Sequence, residues 1–187
     1  MTPRYTQAIA LAARAHEGQS RKGTAIPYIT HPVAVAALVA EYGGDEDQQI
    51  AALLHDVLED GGPQYEPEIE AAFGGRVLAL VRGCTDGMPD ENGTKAPWVE
   101  RKRAYLTHLA EIGDDVLLVS GCDKLSNARA ILSDLQGIGP AVFDRFTAGR
   151  EGTLWYYAEL ARIFGERAVP MARALTDTVG QLERLAR

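Results

Sequence analysis

The sequence lacks long apolar runs and contains only two cysteines, Cys84 and Cys122. No stretch approaches the roughly 20 apolar residues that a transmembrane helix needs, so we expect no membrane partner. The cysteines form no CxxC pair and no metal-type spacing, which favours a reducing cytoplasm over an oxidising compartment. Charges and a histidine interrupt the apolar pattern of the first 19 residues, so no secretory signal is expected.

Positive charge is also scarce. The formal net charge is −7, which argues against a broad nucleic-acid surface because phosphate-backbone binding needs many lysines and arginines. The basic residues are nevertheless clustered, as Arg21-Lys22 and as Arg101-Lys102-Arg103. A cleft can be positive on a protein that is negative overall. A small anionic substrate therefore remains compatible with the composition.

Strand-like alternation, internal repeats and low-complexity linkers are absent as well. The chain has 187 residues, of which 46% are hydrophobic and 24% charged, as in a globular protein that buries its own core. The apolar pattern is helical almost throughout. We therefore predict an all-α fold, a single domain over 1–187 built as a bundle of about eight to ten helices.

Local signals place the predicted helix ends. Gly18 closes the first helix, Gly43-Gly44 the second and Gly61-Gly62 the third, which starts at a capping box of Asp45 and Gln48. The polar segments 19–30 and 86–97 are predicted loops. The predicted helices span 6–16, 33–42, 45–60, two short segments on either side of Gly74-Gly75, 98–111, 114–132, 139–145, 149–164 and 169–185.

The decapeptide LLHDVLEDGG places four ionisable side chains, His55, Asp56, Glu59 and Asp60, at the end of an apolar helix. Residues three and four apart share a helix face, so the four groups can form one polar patch. Buried carboxylates need partners, and a helix C-terminus disfavours negative charge. A divalent cation would offset both penalties. The alternative is a solvated acidic helix end with a structural histidine, since so short a motif often occurs by chance.

Two further residues could complete a metal site. His31 precedes Pro32 at a loop-to-helix junction, and Asp123 follows an apolar run in a predicted buried helix. Their alternative roles are a surface cap for His31 and an internal salt bridge with Lys124 or Arg129 for Asp123. Two imidazoles and two carboxylates suit Mn²⁺, Fe²⁺ or Zn²⁺. His16 is interpreted as structural and His108 as a surface residue.

Several motifs in register resemble those of the HD phosphohydrolase superfamily, and more closely the hydrolase domain of the RelA/SpoT family. They are AHEGQSRK, PYITHP, AALLHDVLED and CDKLSNAR, and the resemblance is strong from about 8 to 132. No synthetase or regulatory domain is expected after them. The chain therefore resembles the stand-alone small alarmone hydrolases, which include the metazoan SpoT homologue.

This resemblance implies hydrolysis of the 3′-pyrophosphate of (p)ppGpp, with release of pyrophosphate and GDP or GTP. It implies a manganese ion held by His31, His55, Asp56 and Asp123, and a catalytic pair, Glu59 and Asp60. The substrate contacts that it implies are Arg21 and Lys22 along the base, Asn127 near the ribose and phosphates, Lys102 at a phosphate and Tyr157 near the nucleotide.

Two other functions stay open at this point. The protein could be a phosphohydrolase for another nucleotide, such as ppApp, NADPH or a nucleoside monophosphate. It could also be a nucleotide-sensing module without turnover, although a pure sensor would not need Glu59 and Asp60. The oligomeric state is not predicted.

Overall fold

The computed structural model describes residues 2–85 and 96–187. Within them the chain forms nine α-helices and no β-strand, which confirms the predicted all-α fold. Most of the predicted loop 86–97 lies outside the described residues. The helices, numbered in chain order, are α1 (Pro3–Ala15), α2 (Thr30–Glu41), α3 (Glu46–Leu54), α4 (Glu66–Phe73), α5 (Gly75–Cys84), α6 (Trp98–Glu111), α7 (Asp114–Ile138), α8 (Gly149–Glu166) and α9 (Ala172–Leu185).

Capping interactions explain where several helices begin and end. The Asp45 side chain accepts a hydrogen bond from the Gln48 amide, and the Gln48 side chain accepts one from the Asp45 amide. These bonds satisfy amides that have no partner inside α3. At the end of α2, Gly43 adopts a positive φ of 85° and the Gly44 amide bonds to the Val39 carbonyl. The predicted boundaries at these two positions are therefore confirmed.

The helix that carries the HD doublet differs from the prediction. It was expected to continue to residue 60, but α3 ends at Leu54, and a five-residue π-helix follows over Val57–Gly61. The Gly62 amide closes this π turn on the Val57 carbonyl at 3.1 Å, and Gly62 has a φ of 106°. A π turn adds a residue to the helical path, so His55 and Asp56 do not stack regularly above Glu59 and Asp60 as an unbroken α-helix would require.

Other boundaries move by a few residues. Helix α1 starts at Pro3 instead of residue 6, and α2 starts at Thr30 instead of residue 33. Helix α7 runs on to Ile138 instead of ending at 132, because Leu135 still packs in the core. Helix α9 starts at Ala172 instead of 169, after Ala168 takes a positive φ of 50°. The predicted helix over 139–145 is a 3₁₀-helix, Gly139–Arg145.

Helix α7 is the central element of the bundle. It packs against α2, α3, α5 and α9, and its buried residues form a nearly continuous run from Leu117 to Leu125. Helices α8 and α9 pack against each other and cover one side. This arrangement brings the middle of α7 against the start of α2 and the end of α3. Among the described helices, none combines the length and the apolar character required to cross a membrane.

Candidate metal centre and its cavity

Two histidine rings meet where α2 begins and α3 ends. His31 lies in the first turn of α2 and His55 caps the end of α3, and their exposed fractions are only 4% and 2%. The His55 Nδ1 atom lies 2.8 Å from the Ala52 carbonyl oxygen, so it must carry the proton that it donates. When the ring is neutral, this leaves the lone pair of His55 Nε2 directed into the cluster, as a metal ligand requires.

Two carboxylates face the histidines. Asp123 Oδ1 lies 3.0 Å from His31 Nε2 and 3.6 Å from His55 Nε2. Asp56 Oδ2 lies 3.0 Å from His55 Nε2 and 3.6 Å from His31 Nε2. The ligand atoms of His31, His55 and Asp123 all lie within 4.8 Å of one another. The structure thus brings together all four residues that were predicted to bind metal, from three elements separated in sequence.

Within the described residues, an unpartnered nitrogen atom of His55 also indicates that these four residues fit a metal ion. His55 Nε2 is buried and makes no hydrogen bond within the described part of the chain, although Asp56 Oδ2 is 3.0 Å away. A buried polar atom without a partner is costly. Coordination of a cation would satisfy it. His31, His55 and Asp123 could hold such an ion, with Asp56 beside them.

The electrostatics of the cluster favour positive charge at its centre. Burial alone would raise the pKa of Asp123, but Lys124 and the two histidines outweigh burial and hold that pKa well below its usual value. Burial would likewise lower the pKa of His55, but Asp56 and Asp123 hold it well above its usual value. Burial dominates at His31 and lowers its pKa. Two ionised carboxylates therefore surround a position where a proton or a cation is stabilised.

Three side chains outside the predicted ligand set hold the carboxylates. The Tyr28 hydroxyl donates to Asp56 Oδ2 at 2.6 Å, Lys124 Nζ donates to Asp123 Oδ2 at 2.6 Å, and Asn127 Nδ2 donates to Asp123 Oδ1 at 2.7 Å. Burial, with Asp56 next, raises the pKa of Tyr28, so the phenol stays protonated as a donor. Each bond restricts the rotation of one carboxylate.

Glu59 and Asp60 lie on the π turn that follows Asp56. The Asp60 amide donates to the Asp56 carbonyl at 2.9 Å, so the pair is tied directly to the HD doublet. Glu59 is partly buried and Asp60 is exposed. Asp60 is close enough to Tyr28 to contribute to the raised pKa of that phenol. Asp60 therefore borders the cluster on the side of Tyr28.

A cavity of about 500 Å³ opens beside the cluster. His31 forms part of its wall, as do four of the predicted substrate residues, Arg21, Lys22, Asn127 and Tyr157. Lys102 lies elsewhere, in an adjoining cavity of about 140 Å³, with its ammonium 4.9 Å from the centre of the Tyr156 ring. The two cavities share Ile131, Phe146 and Tyr157 as lining residues.

Sequence reasoning missed Tyr28 and Arg145. It named Lys124 only as an alternative partner for Asp123, and the structure shows that salt bridge at 2.6 Å together with the histidine contacts of Asp123. Arg145 lines the large cavity and pairs with Asp134 at 2.6 Å. A signal existed for Lys124, because a lysine within an apolar helical run must be paired. No local signal marked Arg145, which reaches the cavity from the 3₁₀-helix far along the chain. His16, interpreted as structural, is buried and packs on the Tyr28 ring, and His108 is exposed as predicted.

The fold and the cluster define an all-α protein with a buried histidine–aspartate site that could hold a divalent metal ion. The chain belongs to the HD-domain family, which matches residues 8–154.

Among curated proteins, the chain is 37% identical over 130 residues to the bifunctional (p)ppGpp synthase/hydrolase SpoT of Escherichia coli. That alignment covers 68% of this chain but only 18% of SpoT. The chain is 38% identical over 128 residues to the guanosine-3′,5′-bis(diphosphate) 3′-pyrophosphohydrolase MESH1 of Danio rerio, covering 66% of each protein. The chain thus spans less than a fifth of SpoT and about two thirds of MESH1.

Two solved structures share the fold. The crystal structure of lmo0812 from Listeria monocytogenes matches with a TM-score of 0.71 at 23% identity, over 82% of this chain and 99% of that one. A metazoan ortholog of SpoT, described as hydrolyzing ppGpp and playing a role in starvation responses, matches with a TM-score of 0.63 at 27% identity. The second alignment covers 90% of this chain and 98% of that structure.

Proposed function

We propose that this protein is a metal-dependent hydrolase that removes the 3′-pyrophosphate of (p)ppGpp and releases pyrophosphate with GDP or GTP. The observation that carries the proposal is a buried four-residue His–Asp cluster that borders a cavity lined by Arg21, Lys22 and Arg145. Cationic side chains beside a metal-binding cluster suit a substrate with two pyrophosphate groups. The activities for which SpoT and MESH1 are named support the same substrate.

The proposed metal is Mn²⁺, held by His31, His55, Asp56 and Asp123. Mixed nitrogen and oxygen ligands without a thiolate are compatible with Mn²⁺, and they disfavour a structural zinc site. When bound, the ion would supply Lewis acidity to the phosphoryl group and lower the pKa of water.

The proposed roles of the other residues follow from the bond that breaks. Water adds to the 3′-phosphoryl phosphorus, and the bond from phosphorus to the ribose 3′-oxygen breaks. One proton must leave the water and one must reach the 3′-oxygen. Glu59 and Asp60, tied to Asp56 through the π turn, are proposed to move these protons.

The remaining predicted residues would bind the nucleotide. Arg21 and Lys22 would lie against the base, with Asn127 near the ribose and phosphates. Tyr157, which lines both cavities, would lie near the nucleotide, and Lys102 would reach a phosphate from the smaller cavity. We propose a small-molecule substrate without nucleic-acid or membrane partners. We also propose a cytoplasmic location, where the buried free thiols of Cys84 and Cys122 would stay reduced.

The decisive experiment is a nucleotide panel with the purified protein and added Mn²⁺. The panel contains ppGpp, pppGpp, ppApp, NADPH and GMP, and both pyrophosphate and orthophosphate release are measured. We expect pyrophosphate from ppGpp and pppGpp, and none from a His55→Ala variant. Faster turnover of ppApp, NADPH or GMP would replace the proposed substrate. Absence of turnover on every nucleotide would favour a sensing module.

A further inference from the structure

Arg21 was expected to lie against the nucleotide base, but its guanidinium also contacts two side chains, Asn127 and Tyr28. Arg21 Nη2 donates a hydrogen bond of 2.7 Å to Asn127 Oδ1. The same guanidinium lies 5.7 Å from the centre of the Tyr28 ring. Asn127 and Tyr28 are two of the side chains that hold the carboxylates of the metal centre. Arg21 therefore contacts one support of Asp123 and one support of Asp56.

The contact with Asn127 fixes which way its amide group points. Asn127 Nδ2 donates to Asp123 Oδ1, the oxygen that faces both histidines. If the amide rotated by 180°, its oxygen would face that carboxylate oxygen and repel it. Arg21 is a donor only and can bond only to the amide oxygen. Its presence thus selects the orientation that supports Asp123.

Arg21 is itself held firmly in the loop that precedes α2. Its amide donates to the Ile26 carbonyl at 2.8 Å, and its carbonyl accepts from the Thr24 amide at 2.9 Å. Ser20 and Pro27 form an isolated β-bridge at the base of this loop. The backbone therefore delivers the guanidinium to Asn127 from a restrained position, as a positioning residue must.

We propose that Arg21 is a positioning residue for the metal centre, which acts through Asn127 on Asp123 and through Tyr28 on Asp56. A guanidinium has five N–H donors, so Arg21 can contact an anionic ligand in the cavity while it holds Asn127. Nucleotide binding and metal binding would then share one side chain. The inference rests on the proposed metal site but not on the identity of the nucleotide.

The test measures Mn²⁺ affinity in nucleotide-free protein, by the electron paramagnetic resonance signal of free Mn²⁺. Loss of an outer partner of a metal ligand typically costs about 10–100-fold in affinity. We expect Asn127→Ala to fall in that range and Arg21→Ala to weaken binding by roughly 3- to 10-fold, because its action is indirect. Arg21→Lys, which keeps one donor, should lie between Arg21→Ala and the wild type.

Lys22→Ala is the matched control. Lys22 is the next residue of the same loop and lines the same cavity, but its ammonium lies over the Phe146 ring, 6.0 Å from the ring centre. Its Mn²⁺ affinity should equal that of the wild type. The double variant Arg21→Ala/Asn127→Ala should bind Mn²⁺ about as Asn127→Ala does, because residues acting in one chain are not additive.

Equal affinities for Arg21→Ala and Lys22→Ala would overturn the inference while leaving the metal site intact. Independent, additive losses from Arg21→Ala and Asn127→Ala would overturn the link between them. A wild-type protein that binds no Mn²⁺ would overturn the proposed metal site, and this inference with it. Melting temperatures of the variants separate loss of affinity from loss of folding.

Discussion

Asp123 contacts four side chains of the candidate metal centre, namely His31, His55, Lys124 and Asn127. Its Oδ1 atom faces both histidines, while its Oδ2 atom is held by Lys124. A buried lysine is costly to ionise, yet Asp123 outweighs burial and holds the pKa of Lys124 well above its usual value. The pair therefore places one carboxylate oxygen in the cluster and neutralises the other.

We expect Asp123→Asn to lose bound metal and turnover together. The amide keeps the size of the side chain but removes the negative charge. Lys124 then stays buried without a carboxylate partner. The loss of Mn²⁺ affinity should be at least as large as the roughly 10–100-fold typical of outer-shell changes. Metal content after gel filtration and turnover would be measured on the same samples. Asp115→Asn is the control, because Asp115 lies on the same helix as Asp123 but is exposed and pairs with Arg76. Full metal occupancy with normal turnover would remove Asp123 from the ligand set.

Glu59 should behave differently from Asp123, because it follows the metal-binding doublet on the π turn. We expect Glu59→Gln to retain Mn²⁺ but to lose turnover by about 100-fold or more, the usual scale for a general acid–base group. Glu66→Gln, at an exposed ion pair with Arg82, should leave turnover unchanged. If Glu59→Gln turned over normally, the carboxylate would be structural.

Three of the proposed metal ligands, His55, Asp56 and Asp123, could be selected from sequence because each has an unusual type for its position. A His-Asp doublet at the end of an apolar helix and an aspartate in a buried helix both violate the local pattern. Two of the side chains that hold these carboxylates could not be found in this way. The tyrosine at 28 and the asparagine at 127 are ordinary residues locally, and only the packing of α7 against α2 and α3 shows what they hold.

At the scale of elements, the π turn over Val57–Gly61 determines where Glu59 and Asp60 lie. Neighbouring side chains pack closely against this turn at Gly61. A Cβ atom on Gly61 would lie 3.0 Å from the Tyr65 ring and 3.6 Å from Ala15 of α1. Caps such as Asp45 with Gln48 are encoded within four residues, so sequence predicts them. The π turn packs against α1, a contact between distant parts of the chain that local sequence does not encode, and the change from α to π was not predicted.

Gly62 ends the π turn with a φ of 106°, a conformation that L side chains rarely adopt. We expect Gly62→Ala to lower the free energy of unfolding by about 1–3 kcal/mol through backbone strain. Gly165→Ala is the contrasting change, since Gly165 lies inside α8 with no atom within 4 Å of an added Cβ. That substitution should raise stability by about 0.4–1 kcal/mol. Urea unfolding would measure both, and a Gly62→Ala variant as stable as the wild type or more stable would show that the backbone at residue 62 is not strained.

At the scale of the whole molecule, the metal centre joins elements that are distant along the chain. His31 opens α2, His55 ends α3 and Asp123 lies in the middle of α7. The core around them was predictable from apolar spacing, because each helix must bury one face. The order in which the other described helices pack around α7 was not, because it depends on long-range contacts.

This arrangement predicts that metal binding stabilises the whole fold. The cluster exists only when three helices are in place, so an ion that binds there stabilises the folded state alone. At a free Mn²⁺ concentration 100 times the dissociation constant, the gain is about 2.7 kcal/mol. For a chain of this length, each kcal/mol raises the melting temperature by about 2–4 °C, so Mn²⁺ should raise it by roughly 5–11 °C.

Differential scanning calorimetry with Mn²⁺ or with excess EDTA would measure this shift. The metal-free protein should stay folded at 25 °C, because the ionised carboxylates hold His55 and Lys124 as positive partners and the cluster keeps internal ion pairs. The shift should vanish in His55→Ala, which removes a ligand, and persist in Lys22→Ala, whose side chain lies outside the cluster. A shift of equal size in His55→Ala would mean that Mn²⁺ stabilises the fold from another position, and that the four-residue cluster is not where the ion binds.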